Sequence, residues 1–234
     1  FPIPEIAQLR DELAPGVPLH CDATQAFCKM PVDPREWGVQ LLTAGAHKIG
    51  GPRGIGILYV QRGLPMHTTA FGGNQERGLR SGTEPVFLAV GMAEAVRITA
   101  AHMETDMEYA ASLRERAIEG LRREIPDAVV HAPEGGSPYI LSVSVPGLPN
   151  VVSVKYLSGR RVCVSRASAC EENHTTVAPG TWRPKHPLAL QAAGIPLREG
   201  KETLRVSFFH QNTPEDIDRF VAVLGQCARE MRES

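Results

Sequence analysis

Two residues have the types and positions needed for Schiff-base chemistry. Lys48 lies in the run Thr-Ala-Gly-Ala-His-Lys-Ile-Gly-Gly-Pro at 43–52, and Asp22 opens the upstream segment Asp-Ala-Thr-Gln. A lysine amine can form a Schiff base with an aldehyde, and a carboxylate beside a pyridine nitrogen lets that ring accept electrons. Alone, each would be interpreted as an ordinary loop, turn or cap residue. Together they predict a pyridoxal phosphate (PLP) site.

The surrounding elements are expected to bring these two residues to one edge of a sheet. Short apolar runs at 17–21 and 41–43 end just before Asp22 and Lys48, and residues 32–39 have the start and stop signals of a short helical crossover. Parallel strands joined in this way present their carboxyl ends together, where open α/β sheets bind ligands. Asp22 and Lys48 should therefore face one crevice.

The composition is typical of a globular protein that acts on small molecules. The 234 residues are 42% hydrophobic, enough for a sizeable core in one large or two small domains. The net charge of -1 predicts no nucleic-acid partner, and no apolar run approaches the length that crosses a membrane. The odd set of 5 cysteines predicts a reducing, cytoplasmic location with at least one free thiol.

A series of motifs resembles that of one enzyme family. The order and spacing of these motifs are similar to those of the NifS/IscS-type cysteine desulfurases, class V aminotransferases of PLP fold type I, and nearly as similar to those of selenocysteine lyases. The motifs are Asp-Ala-Thr-Gln-Ala-Phe at 22–27, His-Lys-Ile-Gly-Gly-Pro-Arg-Gly-Ile-Gly-Ile-Leu-Tyr at 47–59, Gly-Gly-Asn-Gln-Glu-Arg-Gly-Leu-Arg-Ser-Gly-Thr at 72–83 and Ser-Ala-Cys at 168–170.

The resemblance implies an α/β fold in two parts. Residues 1–100 would form the C-terminal part of the large PLP-binding domain, with a mostly parallel sheet and helices. Residues 101–234 would form a small α/β domain carrying the catalytic cysteine loop. Sequence patterns predict helices at 4–13, 83–123 and 151–157, the second capped by Thr83, and a final helix capped by Thr213 and Asp216. They predict strands near 17–21, 41–44, 55–60, 139–145, 162–165 and 203–208, of which 55–60 is apolar on both faces like a buried strand.

The resemblance also implies how the cofactor is bound. Lys48 would hold PLP and move a substrate proton, and Asp22 would pair with the ring nitrogen. Gln25 would bind the ring oxygen, and His47 would act in catalysis and on the cofactor phosphate. Thr83 would reach the PLP phosphate of the other subunit of a homodimer.

Two further residues are assigned to the substrate. The resemblance implies that Arg205 binds the carboxylate of L-cysteine, a task that suits a bidentate guanidinium. Cys170 would be a catalytic nucleophile that takes the substrate sulfur, leaving L-alanine and an enzyme persulfide. That sulfur would pass to an acceptor protein for iron-sulfur cluster or thio-cofactor assembly. The role of the polar loop at 171–187 stays open.

The other cysteines are expected to be small buried hydrophobic residues, and no metal site is predicted because no Cys-x-x-Cys pair is present. They are Cys21, Cys28, Cys163 and Cys227.

Departures from the family pattern leave alternatives open. Gly45 stands where a hydroxyl residue is common, Ala167 stands where a glycine is usual, and Phe209-His210 replaces a Gly-Arg pair. The chain also begins without the upstream phosphate loop, ring-stacking histidine and asparagine that the resemblance implies. A selenocysteine lyase is one alternative. Another is a truncated or split, inactive fragment that needs its N-terminal segment.

Overall fold

The computed structural model describes residues 1–133, 135–166 and 188–233. The chain divides into two compact units, Phe1–Thr105 and Asp106–Ser234. The helices are α1 (Ile3–Leu13), α2 (Val86–Glu124), α3 (Asn150–Ser158), α4 (Leu188–Ala192), α5 (Leu197–Gly200) and α6 (Pro214–Arg232). The strands are β1 (His20–Asp22), β2 (Leu41–Gly45), β3 (Gly56–Val60), β4 (Val129–His131), β5 (Ile140–Ser144) and β6 (Thr203–Ser207). Short 3₁₀ turns cover Ala46–Lys48 and Gln75–Gly78.

The first unit contains a sheet in the order β1-β2-β3. Strands β1 and β2 are parallel, which confirms the prediction for the strands before Asp22 and Lys48, and Asp22 pairs with Thr43. Strand β3 is antiparallel to β2. The carboxyl ends of β1 and β2 therefore meet at one edge of the sheet, as ligand sites in α/β proteins require.

The predicted helical crossover between β1 and β2 is wrong. Residues 34–38 form a turn, in which Trp37 N donates to Asp33 O at 3.0 Å and Val39 N donates to Pro34 O at 2.9 Å. Gly38 then adopts a left-handed φ of 66°, which ends the turn before a helix can propagate.

The prediction of a strand at residues 55–60 is confirmed by β3, but the prediction that this strand is buried is wrong. Strand β3 is at the edge of the sheet, with Ile57 42% and Leu58 50% exposed. The apolar pattern on both faces therefore marks an edge strand whose surfaces the rest of this unit leaves uncovered.

The long helix α2 begins at Val86, three residues after Thr83, so the predicted capping by Thr83 is wrong. An 18-residue stretch of α2 is long and apolar enough, by length and composition only, to cross a membrane, contrary to the sequence expectation. A single such helix is weak evidence for a membrane. Glu94 and Arg97, which form an ion pair at 2.6 Å, lie within α2 and are costly to place in lipid.

The second unit contains an antiparallel sheet in the order β4-β5-β6. One sheet face packs on α2 and α6 to form the main core. The sequence missed β4, and the predicted strand at 162–165 is reduced to a bridge at Ser165. The predicted capping box of Thr213 and Asp216 is confirmed at the start of α6. Core residues from these elements include Leu113, Leu121, Leu141, Val143, Leu204, Phe220 and Leu224.

The opposite face of this sheet is polar. The hydroxyls of Ser144 and Thr203, both almost fully buried, lie 2.7 Å apart. Thr203 also donates to the Glu199 carbonyl at 2.8 Å, so each buried hydroxyl is satisfied. Arg205 follows Thr203 by two residues in β6 and therefore shares this polar face.

Candidate functional site

Lys48 is held just beyond the carboxyl end of β2 by the 3₁₀ turn Ala46–Lys48. Ala46 is fully buried and Ile49 is 7% exposed, so both flanks of the turn are packed. Ala46 O accepts hydrogen bonds from Ile49 N at 3.1 Å and from Gly51 N at 2.9 Å. These contacts fix the backbone of Lys48, which is half-buried. A fixed backbone is needed because the amine must meet an aldehyde in one geometry.

Asp22 ends β1 and lies directly opposite Thr43 of β2. Its carboxylate accepts a hydrogen bond from Thr24 N at 2.9 Å. Hydrogen bonds from the Thr24 side chain and backbone lower the pKa of Asp22, and the charge of His20 adds to the effect. Asp22 therefore stays ionised, the state needed to pair with a protonated ring nitrogen.

The imidazole of His47 packs against Gly45, the first position at which the chain departs from the family pattern. A Cβ built on Gly45 would lie 3.1 Å from His47 Nδ1 and 3.2 Å from Cε1. The ring thus occupies the space that a hydroxyl residue at position 45 would use. Thr43 does not offer a free substitute hydroxyl, because its Oγ1 lies 3.2 Å from His20 Nε2.

Lys29 is a residue of this region that the sequence interpretation missed. It lies in the turn after Asp22 and is partly buried. Burial lowers the pKa of Lys29, and the positive charge of Lys48 lowers it further. The charge of Lys48 therefore reaches Lys29. No motif marks Lys29, so only the three-dimensional structure identifies it.

Gln25 and Thr83 are both exposed. The segment before Thr83 is a compact loop, in which Gly82 N donates to Gln75 Oε1 at 3.1 Å and Ser81 Oγ donates to Phe71 O at 2.9 Å. The structure therefore places Thr83 at the surface of the first unit.

This loop contains backbone conformations that are unusual for non-glycine residues. Glu76 and Arg77 have φ of 50° and 58°, and Gly78 follows at 79°. Such left-handed residues cost about 1 kcal/mol or more and are frequent at functional sites. The two arginines of this loop, Arg77 and Arg80, are exposed.

Arg205 lies in the middle of β6, opposite Ser142 of β5. Its Nη2 donates to Ser165 Oγ at 3.3 Å, while its buried Nε has no hydrogen-bond partner among the described residues. The second unit thus presents the Arg205 guanidinium on the polar sheet face. One of its nitrogens is hydrogen-bonded to Ser165, a residue that the sequence interpretation did not identify.

Cys170 and Ala167 lie outside the described residues, so the nucleophile assignment stays a prediction. The four described cysteines are free thiols. Burial raises the pKa of Cys227, Cys21 and Cys28, which favours the unreactive thiol form. Cys163 is exposed, so the expectation that it is buried is wrong. Among the residues in 1–133, 135–166 and 188–233, no cluster of His, Cys, Asp or Glu could hold a metal ion.

The donor set of the first unit fits PLP. An ionised carboxylate at Asp22 suits the pyridine nitrogen, the Lys48 amine suits the aldehyde, and the exposed His47 ring is available to the cofactor. When bound at such a site, PLP withdraws electrons from the α-carbon of an amino acid, which no protein side chain can do.

The family is shown by comparison with known proteins. Residues 1–220 match the model of the aminotransferase class-V family, and the chain belongs to that family. A cysteine desulfurase of Sinorhizobium fredii is 31% identical over 235 residues, which cover 100% of this chain and 58% of that relative. The cysteine desulfurase IscS of Clostridium botulinum is 32% identical over 235 residues, which cover 99% of this chain and 56% of that relative. The chain therefore spans little more than half the length of these curated relatives.

Solved structures show the same fold. A NifS-like protein with 29% sequence identity superposes with a TM-score of 0.81, over 96% of this chain and 56% of its own. The NifS-like protein of Rickettsia africae, at 22% identity, superposes with a TM-score of 0.80 over 100% of this chain and 58% of its own. The fold is thus that of PLP-dependent transferases of fold type I, as the sequence motifs implied.

Proposed function

We propose that the complete protein is a PLP-dependent cysteine desulfurase that converts L-cysteine to L-alanine and retains the sulfur as a persulfide. One observation carries this proposal. Asp22, held ionised by Thr24, and Lys48, held in a packed turn, follow the carboxyl ends of two adjacent parallel strands. The similarity to cysteine desulfurases over the whole chain supports the same substrate.

The side chains would divide the work between binding and proton transfer. Asp22 would pair with the cofactor ring nitrogen, and His47 would contact the cofactor phosphate. Arg205 binds the carboxylate of L-cysteine. Lys48 Nζ, once it no longer holds the cofactor, removes the proton from the substrate α-carbon and later returns a proton to the product. Gln25 would bind the cofactor ring oxygen.

Cys170 would then carry out the sulfur transfer. Its thiolate attacks the sulfur of L-cysteine, a sulfur-sulfur bond forms, and the carbon-sulfur bond breaks. The electron pair of the broken bond stays with the three-carbon product, which takes up protons and leaves as L-alanine. Cys170 ends as a persulfide, and a sulfur-acceptor protein in iron-sulfur cluster or thio-cofactor assembly would receive that sulfur.

The assembly is proposed to be a homodimer in a reducing, cytoplasmic compartment. Thr83 would contact the PLP phosphate of the second subunit, a role that its exposed position in the first unit permits. The nearby start of α2 exposes Val86, Phe87 and Val90 to 63% or more, which supports a protein surface covered by further polypeptide. The four described free thiols are compatible with this compartment.

The test is turnover by the full-length gene product loaded with PLP. L-Cysteine should yield equal amounts of L-alanine and protein-bound sulfane sulfur in a single turnover. Competition with L-selenocysteine measures substrate preference, and a strong preference for selenocysteine without persulfide formation would identify a selenocysteine lyase. Absence of alanine from either substrate would refute the proposed function.

An inactive fragment is the second candidate for residues 1–234 by themselves. The chain covers 58% of the Sinorhizobium fredii relative, and in this candidate the site is completed by residues outside 1–234. PLP titration and alanine release should be compared between residues 1–234 and the full-length product. Weak PLP binding and little turnover by residues 1–234 alone are expected. Tight binding and full activity would show that the additional residues are dispensable.

A further inference from the structure

Ser165 is joined to Arg205 by both main chain and side chain. Ser165 N donates to Arg205 O at 3.1 Å, and Arg205 N donates to Ser165 O at 2.7 Å. Arg205 Nη2 also donates to Ser165 Oγ at 3.3 Å. The two main-chain hydrogen bonds fix the serine beside the arginine, so its hydroxyl is held at one edge of the guanidinium.

The other described residues around Arg205 restrain its guanidinium little. Arg205 Nε is buried without a hydrogen-bond partner among the described residues. Ser142 flanks Arg205 on the other side, in β5, but no hydrogen bond joins its hydroxyl to the guanidinium in the part of the chain that the structure describes. Ser165 therefore provides the side-chain contact that limits rotation of the Arg205 head.

This restraint matters because a free arginine loses rotamer entropy when it binds a ligand. A head that is already held in place has less of this entropy left to lose on binding. A guanidinium fixed at Nη2 also keeps its plane in one orientation, which bidentate binding of a carboxylate needs.

We propose that Ser165 is a positioning residue that orients Arg205 for the substrate carboxylate. The proposal rests on the proposed function, in which Arg205 binds that carboxylate. Ser165 touches neither substrate nor cofactor in this role and acts through the arginine. Loss of its hydroxyl should therefore weaken substrate binding and leave the chemical step unchanged.

The test compares Ser165→Ala, Ser165→Thr and Ser142→Ala in the PLP-loaded full-length protein. Ser165→Ala should raise KM for L-cysteine about three- to tenfold, the worth of one ordinary hydrogen bond, with kcat within about twofold of wild type. Ser165→Thr keeps a hydroxyl and should restore most of the affinity. Ser142→Ala is the matched control on the other side of Arg205 and should leave KM unchanged.

A double-mutant cycle separates positioning from general damage. On an Arg205→Ala background, Ser165→Ala should add no further loss, because the residue through which it acts is gone. Additive losses would overturn the proposal. So would an unchanged KM in Ser165→Ala, or a fall in kcat and melting temperature with no change in KM.

Binding of 3-mercaptopropionate, measured by calorimetry, distinguishes failure of this proposal from failure of the proposed function. This probe has the carboxylate and thiol of the substrate but no amine. If the wild-type protein makes no alanine, the proposed function fails. Weaker probe binding in Ser165→Ala, but not in Ser142→Ala, would still support the positioning role. Equal binding in all three proteins, or no binding by wild type, would overturn it.

Discussion

The imidazole ring of His47 covers Gly45, within 3.1 Å of the point where a Cβ at position 45 would lie. The backbone of Gly45 is extended, with φ -122° and ψ 138°, so the absence of a side chain there is not required by conformation. A side chain at position 45 would instead meet the His47 ring.

Gly45→Ala should displace the His47 ring by a few tenths of an ångström. Since His47 is exposed and can move, the free energy of unfolding should change by less than about 1 kcal/mol. PLP affinity should fall about three- to tenfold, because the displaced ring would no longer lie where it is proposed to contact the cofactor phosphate. Gly159→Ala is a suitable control, since its Cβ would meet nothing closer than 3.5 Å. Unchanged PLP affinity in Gly45→Ala would contradict a cofactor role for His47.

Lys29→Met should stabilise the PLP-free protein at neutral pH. Burial and the charge of Lys48 lower the pKa of Lys29 in the folded state below the ordinary value of 10.5. Between these two values the unfolded chain binds more protons than the folded chain, so the stability of the wild type rises with pH in this window. The advantage of Lys29→Met should therefore be largest at pH 7 and shrink as the pH rises through the window.

Urea unfolding at pH 7 and at pH 10 measures this effect. Lys155→Met, at an exposed lysine, is the matched control and should show no such pH-dependent gain. If the difference in free energy of unfolding between Lys29→Met and the wild type is the same at both pH values, folding does not disfavour the Lys29 ammonium.

The sheet edge at Asp22 and Lys48 could be predicted from sequence because its signals are local. Short apolar runs ending at Asp22 and near Lys48 define parallel strands, and parallel strands of adjacent register place their ends together. The capping box of Thr213 is equally local, since it joins residues three apart. In each case the residues that decide the structure lie within one or two elements of each other.

The features that sequence did not predict depend on distant contacts. The exposure of β3 depends on what lies beside it in the sheet, and an apolar pattern alone does not report that. Ser165 lies 40 residues from Arg205, and no short motif indicates their pairing. The lowered pKa of Lys29 arises from burial and from Lys48. The start of α2 after Pro85 rather than at Thr83 shows that a capping residue type alone does not set a helix boundary.

Lys48→Ala should remove the visible absorption of lysine-bound PLP from the full-length protein. Borohydride reduction followed by peptide mapping should then find no pyridoxyl group on any lysine. Lys29→Met is the matched control, because it removes the neighbouring amine but leaves Lys48 in its packed turn. Retention of the absorption band in Lys48→Ala, with a pyridoxyl group on another lysine, would refute the assignment.

The most direct test of the central claim is persulfide formation at Cys170 in the PLP-loaded full-length protein. After a single turnover with L-cysteine, mass spectrometry of the wild type should find one added sulfur on the peptide that contains Cys170, together with an equal amount of L-alanine. Cys170→Ser should bind PLP and L-cysteine normally but form no persulfide, whereas Cys163→Ser, at an exposed thiol, should retain it. Persulfide formation at the wild-type rate in Cys170→Ser would contradict the account.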